Sequence, residues 1–199
     1  MDKIKIVYVD DEPDLNISKY LDKEYEHEDF LKEYGEVCFR SKEGYDSLVN
    51  NSLIKEANII LIDSKLFEND SAVTGKFSGE EFKMILKKMF PFIEVLVITQ
   101  NDLGEDYGTI QKYRRDLQET PQQYYAMKLK DVLDAAIQNI NIYRNIANKL
   151  KENEGIDKVL IEKIMNSLDG TSQYDELTTK DIDDLISAFR ELQRDIDGE

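Results

Sequence analysis

The run NIILID, residues 58–63, is apolar on both of the faces that a β-strand presents, and polar residues stop it at either end. A strand on an open antiparallel face alternates apolar with polar residues. One that is apolar throughout has both faces covered, as in the middle of a parallel sheet packed between helices. VLVIT, residues 95–99, repeats the pattern, and KIKIVYV, residues 3–9, reads as a further strand.

Between these runs the apolar spacing changes to that of helices. After Pro13, a residue suited to a first helical turn, Leu15, Ile17, Tyr20 and Leu21 recur at near-helical intervals. EVCFR (36–40) is expected as a short strand and KEGYDSLVNNSLIKE (42–56) as the helix after it. Phe82, Ile85, Leu86 and Met89 fall on one face of a helix over 79–90. A long polar stretch up to Pro121 leads to YYAMK (124–128), expected as a fifth short strand, and then to a strong helix over 131–150. Five repeats of strand then helix predict an α/β fold with a five-stranded doubly wound parallel sheet, over residues 1–148. Residues 149–199 change character and predict a small helical appendage. One amphipathic face there carries Val159, Leu160, Ile164 and Leu168, and a second helix over 178–196 would complete a hairpin.

Composition limits the function classes. The chain of 199 residues has a formal net charge of −16, and from residue 145 onward 14 Asp plus Glu stand against 7 Lys plus Arg. Nucleic-acid binding draws on Lys and Arg that neutralise phosphates, so this balance disfavours DNA as a partner. No apolar run approaches the roughly 20 residues of a membrane span, and the acidic N-terminus is unlike a secretory signal, so no membrane association and a cytoplasmic location are expected. One cysteine leaves no internal disulfide or Cys-based zinc cluster, and one histidine leaves no site that needs two imidazoles. Cys38 is expected as a small buried hydrophobe and His27 at an exposed helix position.

In an open parallel sheet, sites form at the carboxyl ends of the strands, near the point where the strand order reverses. Here the first strand ends at Asp10 and Asp11, the third at Asp63, the fourth at Thr99 and the expected fifth at Lys128. If the first strand lies between the second and third, these side chains converge. Three carboxylates within about 4–5 Å repel unless a cation neutralises them, and ligands that are all oxygen favour Mg²⁺. A carboxylate beside such an ion and a lysine is equipped to attack a phosphoryl donor, and Thr99 to donate its hydroxyl to the new phosphoryl group.

Over residues 3 to about 145 this set of strand-end residues resembles the receiver domain of bacterial response regulators. The likeness rests on VYVDDEP, on Asp63 closing ANIILID, on Thr99 closing VLVIT, and on Lys128 in YYAMKLKD with Tyr125 three residues before it. The resemblance implies that Asp63 is the phosphoacceptor, and that Asp10, Asp11 and Asp63 hold Mg²⁺ with the backbone carbonyl of Lys65. It implies that Lys128 pairs with the phosphoryl group, and that Thr99 and Tyr125 couple phosphorylation to the surface of the fourth helix, fifth strand and fifth helix. The implied partners are a sensor histidine kinase or small phosphodonor and a protein effector, with the acidic tail as an effector or dimerisation element, a homodimer being one form of output. The sequence departs from the family at Leu129, where a proline usually follows the lysine, at Gln100, where a small residue is usual, and in extensions around residues 67–74 and 101–123. Two alternatives stay open at this point: a receiver-like scaffold that no longer accepts phosphate, and an aspartyl-nucleophile phosphatase. The latter family wants an Asp two positions after the first, where this chain has Glu12.

Overall fold

A computed structural model of the chain describes residues 2–40, 44–66, 78–101, 109–151 and 157–168. In order, the elements are β1 (Asp2–Asp10), α1 (Leu15–Lys19), β2 (Phe30–Cys38), α2 (Gly44–Val49), α3 (Ser52–Lys55), β3 (Ile59–Asp63), α4 (Gly79–Met89), β4 (Glu94–Thr99), β5 (Ile110–Gln111), α5 (Pro121–Lys128), α6 (Lys130–Lys151) and α7 (Lys158–Leu168). The five strands form one parallel sheet in the order β2-β1-β3-β4-β5. The order reverses between β1 and β3, and β1 lies between β2 and β3, the condition under which the strand-end side chains converge.

Strand periodicity explains both layers. Ile4, Ile6 and Tyr8 of β1, with Ile59 and Leu61 of β3, face one side and pack with Ile17, Leu21, Tyr125, Leu133, Ile137 and Ile140. Val7, Val9, Ile60 and Ile62 face the other side and pack with Leu48, Ile54, Phe82 and Leu86. Each central strand therefore buries both faces, and helices must cover both.

Several local expectations change. The stretch over 42–56 breaks into α2 and α3 because the side chain of Asn51 accepts the Leu53 N–H at 2.9 Å, and so begins a new helix. The first helix ends in a π turn, Tyr20–Glu24, in which the Tyr25 N–H reaches the Tyr20 carbonyl at 2.8 Å. His27 follows that turn in a loop, half-buried, instead of lying on an exposed helix. β2 starts at Phe30, six residues before the expected EVCFR run; as an edge strand it alternates half-buried and exposed residues. That edge position also leaves Cys38 exposed, not buried.

The largest correction is at the fifth strand. YYAMK is helical, because Thr120 accepts the Gln123 N–H, the Gln123 side chain returns to the Thr120 N–H, and Pro121 sits at the first position of α5. The strand is instead Ile110–Gln111, only two residues long, paired with Ile98 and Thr99 of β4. At the C-terminal side, α7 packs on α6, with Ile161 and Leu168 buried and Val159 exposed, so the inward face is rotated from the expected one. The Asn58 amide donates to the Leu168 carbonyl at 3.4 Å, which ties α7 to the start of β3. The second tail helix expected over 178–196 lies outside the described residues, as do residues 67–74 of the first extension and 102–108 of the second. Among the described residues, no helix is long and apolar enough to cross a membrane.

Candidate functional site

The carboxyl ends of β1 and β3 bring three carboxylates together. One ligand oxygen each from Asp10, Asp11 and Asp63 lies within 4.8 Å of the others. Asp10 and Asp63 are buried, at 2% and 6% exposure, while Asp11 is half-buried. At such a separation each pair of charges repels by about 3 kcal/mol at an effective dielectric near 20. The fold offsets part of this with one cation. The Nζ of Lys112, the first residue after β5, lies 2.7 Å from Asp10 Oδ2 and 2.7 Å from Asp63 Oδ1.

Lys128, the expected cation, does not reach the site: it ends α5 on the exposed surface. Its place is taken by Lys112, which follows the true fifth strand and whose N–H donates to the Thr99 carbonyl at 2.6 Å. Leu129 is accordingly a buried residue between two helices rather than a neighbour of the site lysine. Tyr113 follows Lys112, and no peptide bond among the described residues is cis.

Each remaining donor has a defined task. Tyr8, two residues upstream on the same strand face, donates its hydroxyl to Asp10 Oδ2 at 2.5 Å, and the Glu12 N–H donates to Asp10 Oδ1 at 3.0 Å. The Lys65 N–H donates to Asp63 Oδ2 at 2.8 Å, and the Lys65 side chain is exposed. Thr99 is buried at the end of β4, where its hydroxyl oxygen accepts the Asn101 N–H at 3.2 Å; Gln100 beside it is exposed. Tyr125 is buried in α5 and does not lie on a strand, but its hydroxyl accepts the Tyr113 N–H at 3.0 Å, one residue from Lys112.

Burial, reinforced by the neighbouring charge of Asp10, raises the pKa of Asp63 despite its bonds to Lys112 and Lys65. Burial alone would lower that of Lys112, but the two carboxylates outweigh it and hold the ammonium charged. Burial and the adjacent Asp10 push Tyr8 upward, so it remains a neutral hydroxyl donor.

The start of α4 is pressed against the end of β3 beside the cluster. Gly79 opens α4 against the end of β3, its N–H donating to the Ser64 carbonyl at 2.7 Å. A Cβ at position 79 would lie 2.5 Å from the Asp63 carbonyl oxygen and 2.8 Å from the Ser64 Cα, so only glycine permits this approach. Gly79→Ala is expected to lower stability by about 1–3 kcal/mol, read as a lower urea midpoint; an unchanged midpoint would show that the contact is loose.

No protein-family model matches the chain, and no curated protein matches it. Fold and site together define a doubly wound α/β protein with an acidic cluster and a buried lysine at the switch point of its parallel sheet. The donor set suits a hard divalent ion: three carboxylates and one ammonium leave the cluster two charges short of neutrality, and none of the three clustered residues offers nitrogen or sulfur.

Proposed function

We propose that this chain is a phosphorylation-controlled signalling switch that accepts a phosphoryl group on Asp63 and signals through protein contacts. The observation that carries the reading is the pairing of one buried ammonium, Lys112, with both Asp10 and Asp63 at the carboxyl edge of a parallel sheet. One ammonium shared by two buried carboxylates leaves negative charge uncompensated. A third acidic group, Asp11, beside the pair makes sense as a metal site.

Asp10, Asp11 and Asp63, with the Lys65 carbonyl, would hold Mg²⁺. When bound, that ion supplies charge neutralisation to the oxygens of a transferring phosphoryl group. The chain's own residues do the rest. An Asp63 carboxylate oxygen attacks the phosphorus of an acyl phosphate, and the bond from phosphorus to the acyl oxygen breaks. A carboxylate such as acetate leaves with the electron pair. Lys112, already 2.7 Å from Asp63 Oδ1, stabilises the charge that builds on the phosphoryl oxygens. Thr99 turns its hydroxyl from the Asn101 N–H towards the new group.

The coupling route differs from the one the resemblance implied. Three residues before Lys112 stands Thr109, not an aromatic residue, and Tyr125 acts from α5 through the backbone of Tyr113. A change at Lys112 is thereby passed to α5 and α6, which would form the signalling face. A sensor histidine kinase would supply the phosphoryl group in the cell, and the response would be read by a protein effector.

The test is to incubate the protein with Mg²⁺ and acetyl phosphate and measure intact mass. One added phosphoryl group is expected, lost in Asp63→Asn. Absence of label in the native protein would leave a receiver-like scaffold, and steady phosphate release from varied monoesters would point to a hydrolase.

A further inference from the structure

Lys112 is carried by the weakest strand in the sheet. β5 pairs with β4 at two residues only, Ile110 with Ile98 and Gln111 with Thr99, yet Lys112 Nζ must reach two carboxylates at 2.7 Å. A ladder this short does not fix a side chain by itself, so other groups must hold the strand. Downstream, two tyrosines of α5 do so: the Tyr124 hydroxyl donates to the Gln111 carbonyl at 3.0 Å, and the Tyr125 hydroxyl accepts the Tyr113 N–H at 3.0 Å.

Upstream, the fastening is Glu80. Its Oε1 accepts the Thr109 hydroxyl at 2.9 Å, three residues before Lys112. The same carboxylate accepts the Ser64 hydroxyl at 2.8 Å on Oε2 and 3.0 Å on Oε1, one residue after Asp63. Glu80 is the second residue of α4, whose start is set by the Ser78–Glu81 capping box and by the close seat of Gly79 on Asp63. A rigid helix start therefore presents one carboxylate to both the strand that ends in the nucleophile and the strand that carries the cation. Burial disfavours the charged form of Glu80, but hydrogen bonds from the Ser64 hydroxyl, its own backbone N–H, and the Thr109 and Ser78 hydroxyls together hold its pKa below the ordinary value.

We propose that Glu80 is a positioning residue: by holding Ser64 and Thr109 on one carboxylate, it sets the spacing between Asp63 and Lys112 on which phosphoryl transfer depends. It rests on the phosphoacceptor reading for its purpose, though not for its geometry. Glu80 acts through Thr109 and Ser64.

The test combines two readouts on Glu80→Ala, Glu80→Gln, Thr109→Val and the Ala/Val double variant, each checked for folding by circular dichroism. In acetyl phosphate labelling with Mg²⁺, Glu80→Ala is expected to fall about tenfold or more, as misplacement of a catalytic group does. Glu80→Gln keeps an acceptor oxygen in place and should stay close to the native rate. The double variant should be no slower than Glu80→Ala alone, since the Thr109–Glu80 bond that Thr109→Val removes is already lost in Glu80→Ala. The second readout needs no phosphorylation. Acetic anhydride modification of Lys112, followed by peptide mass spectrometry with exposed Lys128 as the internal reference, should rise severalfold in Glu80→Ala. Native labelling rates in Glu80→Ala, with Lys112 still shielded, would overturn the assignment. So would faster labelling in both Glu80 variants, which would make Glu80 a repelling charge. If the native protein takes no label, the phosphoacceptor reading fails, and the Lys112 readout then decides the positioning claim on its own.

Discussion

Replacing Lys112 by methionine is expected to slow phosphoryl labelling by at least about a hundredfold, the usual consequence of removing one donor from a developing phosphoryl or oxyanion charge. Lys128→Met should label at the native rate, because that side chain is exposed at the end of a helix away from the strand ends. The pair separates the structural assignment from the sequence one. Loss in Lys128→Met with retention in Lys112→Met would contradict the site described here. The Lys112 substitution also leaves Asp10 and Asp63 buried without their ammonium, which costs about 3–5 kcal/mol when a buried pair loses one partner. Urea titrations should show that loss without metal and a partial recovery when Mg²⁺ is added.

The second large effect concerns Asp63 and the metal. Folding raises the pKa of this carboxyl above its ordinary 3.8, chiefly by burial. Its contribution to stability is thus fully present below that ordinary value and is lost as pH rises through the folded one, so the ionised group is a net burden on the metal-free fold. Asp63→Asn should therefore melt at a higher temperature than the native protein when both are metal-free, and the difference should shrink as pH is lowered towards 4. Mg²⁺ should reverse the order. At about a hundred times its dissociation constant, an ion bound only by the folded state adds about 2.7 kcal/mol. The native protein should gain that increment and Asp63→Asn little of it. Equal gains in both proteins would place the ion elsewhere.

How much of this was legible in the sequence varies with the strength of the local signal. NIILID and VLVIT are long enough and apolar enough to announce central parallel strands, and their alternation with helices announces the parallel sheet; the strand order came from the structure, since the sequence carries only the condition that the first strand lie between the second and third. Asp10, Asp63 and Thr99 were legible because each closes such a run and so must lie at its carboxyl end, and Asp11 because it directly follows Asp10. Lys112 was not. Its strand is two residues long, and Gln111 and Lys112 follow Ile110 in a stretch that otherwise reads as polar loop. YYAMK offered a richer apolar pattern nearby. The signal that could have corrected the reading was Thr120, Pro121 and Gln123, a cap, a first-turn proline and a third-position glutamine that together start a helix. Tyr8 and Glu80 could not have been singled out from spacing alone. Tyr8 matters because a strand places residues two apart on one face, and Glu80 because a helix start is pressed against the end of β3.

The cluster is expected to present Asp63, rather than Asp10 or Asp11, to a phosphoryl donor. Borohydride reduces an acyl phosphate to the alcohol, which would convert a phosphorylated aspartate to homoserine. Treating the protein with acetyl phosphate and Mg²⁺, reducing it, and sequencing its peptides by mass spectrometry should find homoserine at position 63 alone. Homoserine at position 10 or 11, or at none of the three, would contradict the account.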